Sequence, residues 1–564
     1  NALLRVRGCS RPSELPLSEE FLADPQAVYF LKHVCTPHFM DLVRAFRSSK
    51  EVLTERRTIA GRLAELDPAG AAEYQLEIIH ISNQIKVAEG MEMVDASRLH
   101  VDRDAFLRWA RRNSVEDFER YSALVQAGIS SEGELEDLLR GVLADLGTRQ
   151  AYYTPDDQAD AILAQLYVSL GQQFLANADF GLDYYLSKRI RHQSFIGLVR
   201  GPLEFSSLIT SRDSEFGTYR SNTHWLQRLG LGEAAARSAD VAFSRFSERF
   251  DQILVALKDD LLQIKTPEKS DGLFEIPIGR NALFVTRTLV QAGVDFDSFI
   301  MSTYQMFWQA MEPCLSRARD AIAGSLKDEA VELLLALRED IRAVAEDSPA
   351  FQEFSTEVSD ASVEVQRALD KAASWFVKPD AQPKAVNFTL KEAADIALHS
   401  AMAMHVAFAP AIELEIEGAV ELQPPDLMLL WETIFVGIDN VKRHSGIRHG
   451  AQIGIRCSVV EDSGSGSNTV ELDIVSALAK PFPDQSLDRL EAIRRRIADG
   501  KIAQVAKREG GSGLTKVASV VNHTPGGQIE FGPTKDGMFR LFVRFHPTKN
   551  TVALVRLADE DPDR

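Results

Sequence analysis

Cysteine is scarce: four residues in 564, at Cys9, Cys35, Cys314 and Cys457. None lies within metal-ligand spacing of another, and a disulfide framework needs far more of them. The thiols therefore read as reduced, mostly buried and cytoplasmic. Positive charge is in deficit too. The 63 lysines and arginines face 82 aspartates and glutamates, a formal net charge of −19. That removes the broad electrostatic footprint of a duplex-DNA binder and argues against nucleic acid beyond a local patch. Long apolar runs are missing as well. The best, Ile396 to Ile412, is broken by His399, His405 and Pro410, short of the ~20 residues a membrane span requires. No repeat recurs at a fixed period. The first residue is Asn rather than Met, which points to a processed piece of a longer chain.

What is present is ordinary globular material, 45% hydrophobic and 26% charged. At roughly 100–200 residues per domain, the length suggests three or four domains. The first two-thirds reads as helix after helix. Ser114 with Asp117 and Ser131 with Glu134 have capping-box spacing. Thr154-Pro155-Asp156-Asp157 sets a cap residue, a first-turn proline and acids at a helix start. Leu326, Ala330, Leu334, Leu337, Ile341 and Val344 form one stripe of a long helix. That stripe reads as core, with pairing of two copies into a homodimer as the alternative. A second helix is expected from Ser359 to about Phe376.

Lys378-Pro379-Asp380-Ala381-Gln382-Pro383 breaks helical character, and the texture then changes. Ala411–Ile416, Gln452–Cys457, Val470–Val475 and Phe539–Phe545 alternate with period two, as half-buried strands do. Helical stretches fall at Pro425–His444, Ser486–Asp499 and Gly513–Asn522, and Asp462–Ser467 reads as a hairpin tip. The order implies an α+β sandwich behind a mainly α-helical body. The expected domains are 1–150, 151–309 with a basic Arg/His cluster, a helical pair at 310–380, the sandwich at 381–550 and a tail at 551–564.

Chemistry concentrates in the sandwich. Trp431–Gly446 reads W-E-T-I-F-V-G-I-D-N-V-K-R-H-S-G. Gly510–Leu514 reads G-G-S-G-L and opens a helix, and Thr524-Pro525-Gly526-Gly527-Gln528-Ile529 leads into a strand. In that order and spacing, the stretch from about Val386 to His546 resembles the GHKL ATP-binding fold of histidine kinases and gyrase. The resemblance covers less than a third of the chain. It implies ATP and Mg²⁺ as ligands. Asn440 matches the asparagine of the family's N box, whose side-chain oxygen suits Mg²⁺, and Arg443 and His444 complete that motif. Gly511, Gly513 and Leu514 match the second glycine box, where backbone amides approach phosphates at a helix start. Lys507, Arg508 and Lys516 add positive charge around it.

Departures from the family pattern limit the chemistry. The base that often stands one turn before the metal asparagine is Val436, which takes no proton. Glu432, two turns back, is too far along the helix to replace it. The first glycine box aligns with Ser476-Ala477-Leu478-Ala479-Lys480, and its adenine-reading aspartate is Ser476. Losing that charged hydrogen bond costs about 1.5–3 kcal/mol, roughly ten- to a hundredfold in affinity. No histidine occurs from Ala310 to Ala397, which argues against histidine autophosphorylation. The expectation is a bacterial signalling or regulatory protein with a degenerate ATP site, weak or absent catalysis, and a helical body that docks protein partners. The alternative is an enzyme, either an active ATPase or a nuclease built on Leu186–Gln193 and Arg200, with His192 as acid–base. Arg189 and Arg191 stand too close to His192 for the spacing of HEPN ribonucleases, and the cluster reads as a solvated helix end. His33, Cys35 and His38 read as loop residues.

Overall fold

Strands form where apolar and polar residues alternate, and their pairing is fixed by which face must be covered. The computed structural model describes residues 9, 11–15, 25–41, 46, 49–67, 70–127, 158–191, 194–213, 217–277, 280–378, 387–447, 450–461, 468–480, 484–499 and 513–548. In its C-terminal part, β2 (Ala411–Glu417), β4 (Gln452–Glu461), β5 (Asn468–Ser476), β7 (Phe539–Phe545) and β6 (Gln528–Pro533) make one five-stranded sheet in that spatial order. Strands β2 and β4 run parallel, and the other neighbours antiparallel. The short β1 (Phe388–Thr389) pairs with β3 (Glu421–Leu422).

The register places Val470, Leu472 and Ile474 opposite Phe545, Val543 and Leu541, all six buried. The alternate positions carry charge, and Asp473 pairs with Arg540 while Glu471 pairs with Arg544 across the outer face. Asp462–Ser467 lies outside the described residues.

The helical body supplies α1 (Ser49–Leu66), α2 (Ala71–Ala96), α3 (Gln158–Ala176), α4 (Ser194–Phe205), α5 (Glu233–Ala256), α6 (Phe296–Asp320), α7 (Lys327–Ala345) and α8 (Phe351–Ser374). The expected stripe on α7 faces inward. Ala330, Leu334, Leu337 and Ile341 are buried, and α7 packs against α5 and α8. Those residues therefore build this chain's own core. Helix α8 begins eight residues before the expected Ser359. Ser348 ties the turn ahead of it, donating to the Leu229 carbonyl at 2.7 Å and accepting from the Ala350 amide at 3.3 Å.

The sheet is covered by α9 (Leu390–Met402), α10 (Pro424–His444) and α12 (Gly513–His523), with α11 (Asp484–Ala498) against α12. Thr389 and Glu392 form a reciprocal capping box that starts α9. Helix α10 starts with Pro424 and Pro425, and Asp426 receives the Gln423 amide at 2.9 Å. It lies close on the sheet because Gly437 has no side chain. A Cβ there would stand 2.9 Å from Ile474 Cδ1.

One hydrophobic cluster runs from Val94 to Phe545 and joins the body to the sandwich. Helix α2 meets α9 where Gly90 lies on Ile396, and Lys86 pairs with Glu392 at 2.6 Å. Gly197 and Gly201 of α4 press on Met404 and Val406, in the connection from α9 to β2.

Candidate functional site

Helix α10 positions the N-box residues. It is buried along most of its length, and its last turn carries Lys442, Arg443 and His444, cations that suit the carbonyl end of a helix. Asn440 stands one turn beyond Gly437, toward the end of β5. Its Nδ2 is buried and has no hydrogen-bond partner among the described residues. Asp439 beside it pairs with Arg443 at 3.0 Å. Burial pushes the Asp439 carboxyl above its ordinary range, with Arg443 opposing. Burial also depresses the His444 imidazole, with Arg443 and then Arg489 of α11 adding to the effect.

Ser476 is buried at the end of β5, opposite Ile453 and Phe539. The segment after it folds back onto α10, where the Ala479 amide donates to the Ser445 carbonyl at 2.8 Å. Gly446, at φ +73°, makes the reversal, and a Cβ there would stand 3.2 Å from the Ala479 Cβ. The stretch aligned with the first glycine box is thus pinned to the end of the N-box helix.

Gly513 opens α12, Leu514 is buried, and the helix packs along α10. Lys507, Arg508 and Gly511 lie outside the described residues, as does His192. Val436 lines a small void of about 10 Å³ with Trp431, Glu432, Phe435, Val517 and two lysines, Lys188 and Lys516. That is room for about one water. The position aligned with the family's base is therefore a buried valine beside side chains that already pair with one another or with Ser187.

Two expectations change here. Lys516 is only 1% exposed, and its Nζ donates to the carbonyl and hydroxyl of Ser187, each at 3.3 Å. It joins α12 to the helical body instead of flanking an open turn. The basic cluster is no solvated helix end either. It forms a π-helix, Leu186–Arg191, in which Lys188, Arg189 and Arg191 are all buried. Lys188 and Arg189 both pair with Glu432 of α10, at 2.5 and 2.9 Å, and Arg191 pairs with Asp183 at 2.6 Å. Each of the three buried cations is paired with a carboxylate, Lys188 and Arg189 sharing Glu432, so the cluster faces the protein's own acids instead of an open nuclease site. Burial pushes the Glu432 carboxyl up, but Lys188 and Arg189 outweigh it and hold it below the ordinary range.

Sequence reasoning missed the centre of this seam. Arg98, fully buried, lies 4.2 Å from the Trp375 ring and 4.7 Å from Trp431. It also bonds Asp95 at 2.9 Å and the Arg189 carbonyl at 2.9 Å. Little local marks Arg98, because apart from Asp95 its partners come from distant stretches of chain. His405 was also unread as part of it. Its ring stacks on Phe435 at 5.1 Å, and Phe435 stacks on Trp431 at 5.5 Å.

Among the described residues no three His, Cys, Asp or Glu side chains stand together to hold a metal ion, and no helix is long and apolar enough to cross a membrane.

Comparisons with known proteins agree with this division. A family model described as "y4jQ C-terminal putative histidine kinase domain" matches residues 389–546, and a second, described as Y4jQ, matches residues 108–376. The uncharacterized protein y4jQ of Sinorhizobium fredii (strain NBRC 101917 / NGR234) is 25% identical over 526 residues. The alignment covers 91% of this chain and 48% of that protein, so the chain spans about half the length of the relative it matches. Among solved structures, a histidine kinase from Burkholderia phymatum STM815 is 13% identical with a TM-score of 0.19. It covers 42% of this chain and 98% of its own.

Proposed function

Because the C-terminal region is a histidine-kinase-like domain, we propose that the chain is a signalling module whose sandwich binds Mg²⁺·ATP weakly and turns it over slowly or not at all. The observation that carries this reading is Asn440. Its Nδ2 is a buried donor without a partner among the described residues, which costs about 1–3 kcal/mol, and a ligand that offers it an acceptor, such as a phosphate oxygen, recovers that cost. Its surroundings fit a nucleotide's phosphates. Arg443 is held in place by Asp439, and His444 and Arg489 add hydrogen-bonding and cationic groups at the same helix end.

Asn440 would supply a side-chain oxygen to Mg²⁺, the kind of ligand that hard cation prefers. The bound ion would neutralise phosphate charge. Gly513 and Leu514 would bring backbone amides to the phosphates, with Gly511, Lys507 and Arg508 from the preceding stretch. Ser476 would meet the adenine amine with a hydroxyl where the family has a carboxylate. Val436 offers no proton acceptor, so attacking water has no base at that position, and Glu432 is already neutralised by two cations. The nucleotide then acts as a ligand that biases the domain, and the helical body, joined to α10 through Glu432 and Arg98, receives that bias.

Thermal melting with and without Mg²⁺·ATP tests the reading. Saturable stabilisation is expected, and it should disappear in Asn440→Ala and Gly513→Val. Equal stabilisation of both variants would remove these residues from the site. Phosphate release clearly above a protein-free blank would contradict weak turnover.

A further inference from the structure

The helical body holds an open cleft of about 310 Å³ between the end of α4, residues 207–211 and residues 221–224. That volume lies at the lower end of small-molecule sites. Its floor is electrically balanced. Arg200 donates to Glu204 at 2.9 Å, to Asp251 at 2.5 Å and to the Thr210 carbonyl at 2.6 Å. Glu204 also accepts from Lys442, the residue two beyond Asn440, at 3.1 Å. Two cations meet two carboxylates there, and a third carboxylate, Asp240, accepts from the Ser221 hydroxyl and the Asn222 amide at the wall. An anionic ligand would face both carboxylates, and a cationic one would find them already engaged.

The walls are dense in hydroxyls, from Ser207, Thr210, Ser211, Ser221 and Thr223. A hydroxyl both donates and accepts. Those of Ser207, Ser211 and Thr223 have no partner among the described residues. The exposed ring of His224 adds a flat face, with Ile209 almost wholly buried beside it.

Ser207 stands out in its backbone. At φ +56° it is the one non-glycine residue in the left-handed region among those described. Glycine would occupy this position without strain. Buried Asn222 holds the conformation, donating to the Ser207 carbonyl at 2.8 Å. The strain keeps a hydroxyl on the wall of the cleft.

We propose that this cleft binds a neutral polyhydroxylated small molecule of the sugar or polyol class, with Ser207, Ser211 and Thr223 as its hydrogen-bonding wall. The carboxylates disfavour an anion and Glu204 and Asp251 already hold cations, the hydroxyls match a ligand made of hydroxyls, and the exposed His224 ring suits the C–H face of a sugar ring. The proposal stands independently of nucleotide binding in the sandwich.

The test is calorimetry and thermal melting of the whole chain with D-ribose, D-glucose, sucrose and myo-inositol, beside glucose 6-phosphate and gluconate. At least one neutral compound should bind saturably at millimolar concentration or below. Ser207→Gly should melt higher without ligand yet bind at least tenfold more weakly. Thr223→Val should lose affinity to a similar degree with its own melting point unchanged. If Ser207→Gly fails to fold, Thr223→Val and Ser211→Ala decide the matter. No saturable binding by any neutral compound would overturn the proposal. So would unchanged affinity in Thr223→Val and Ser211→Ala, or a response confined to glucose 6-phosphate and gluconate.

Discussion

Two short cationic clusters in this chain look alike in the sequence and differ in what surrounds them. Lys188, Arg189 and Arg191 are buried and paired with Glu432 and Asp183. Lys442, Arg443 and His444 end a helix, partly exposed, beside an amide that has no partner among the described residues. The first cluster has its counter-charges within the fold, so its role is to join the helical body to α10. The second is paired too, Lys442 with Glu204 and Arg443 with Asp439, but those pairs are partly exposed at the end of α10. Proximity of positive charges says little about binding until the counter-charges are located, because a paired cation offers a ligand almost no net field.

The contrast can be broken most sharply at Glu432. Glu432→Gln leaves two buried cations without a full counter-charge, and a loss of about 3–5 kcal/mol is expected, read as a lower urea midpoint. A loss comparable to that of a surface pair would mean the seam is not a buried ion cluster.

Acid should weaken the same seam. Burial, reinforced by Lys442 and Arg443, pushes the His405 imidazole down to about 3. The folded state therefore resists a proton that the unfolded chain accepts below about 6.5. Stability should be intact above that pH and fall by about 1.4 kcal/mol per unit below it, toward the folded value. Urea melts between pH 7 and 5 measure the slope, and His405→Phe should reduce it by that amount. An unchanged slope would show that the imidazole titrates normally.

Asn440→Leu should behave unlike an ordinary buried truncation. Removing an unpaired buried amide relieves a penalty, so the melting point without ligand should hold or rise, by up to about 1 kcal/mol, while the response to Mg²⁺·ATP is lost. A clear fall in stability would mean the amide has a structural partner. The smallest effect belongs to Lys442→Ala. Its pair with Glu204 is partly exposed, and the change should stay within about 1 kcal/mol.

The sandwich was largely legible beforehand. Alternation in Phe539–Phe545 matches β7 residue for residue, because a half-buried strand must show period two. The order of helices and strands from Leu390 to Phe545 follows as expected, with only the two-residue β1 and β3 added. The candidate site was legible in part. Asn440 and Gly513 came from motif spacing, but Lys516, expected to flank the glycine motif, turns into the body toward Ser187. The start of α8 was misread because Ser348 is fixed by Leu229, more than a hundred residues away.

Local periodicity, turn chemistry and motif spacing determined the helical body, the sheet strands and the position of the N-box asparagine, since each depends on residues a few places apart. Which charges are buried, which carboxylate neutralises them and which amide goes unsatisfied were decided only by tertiary structure. The Coulomb and desolvation energies that settle those questions depend on distance in space, and the partners of Arg98, Glu432 and Lys516 are remote in the chain.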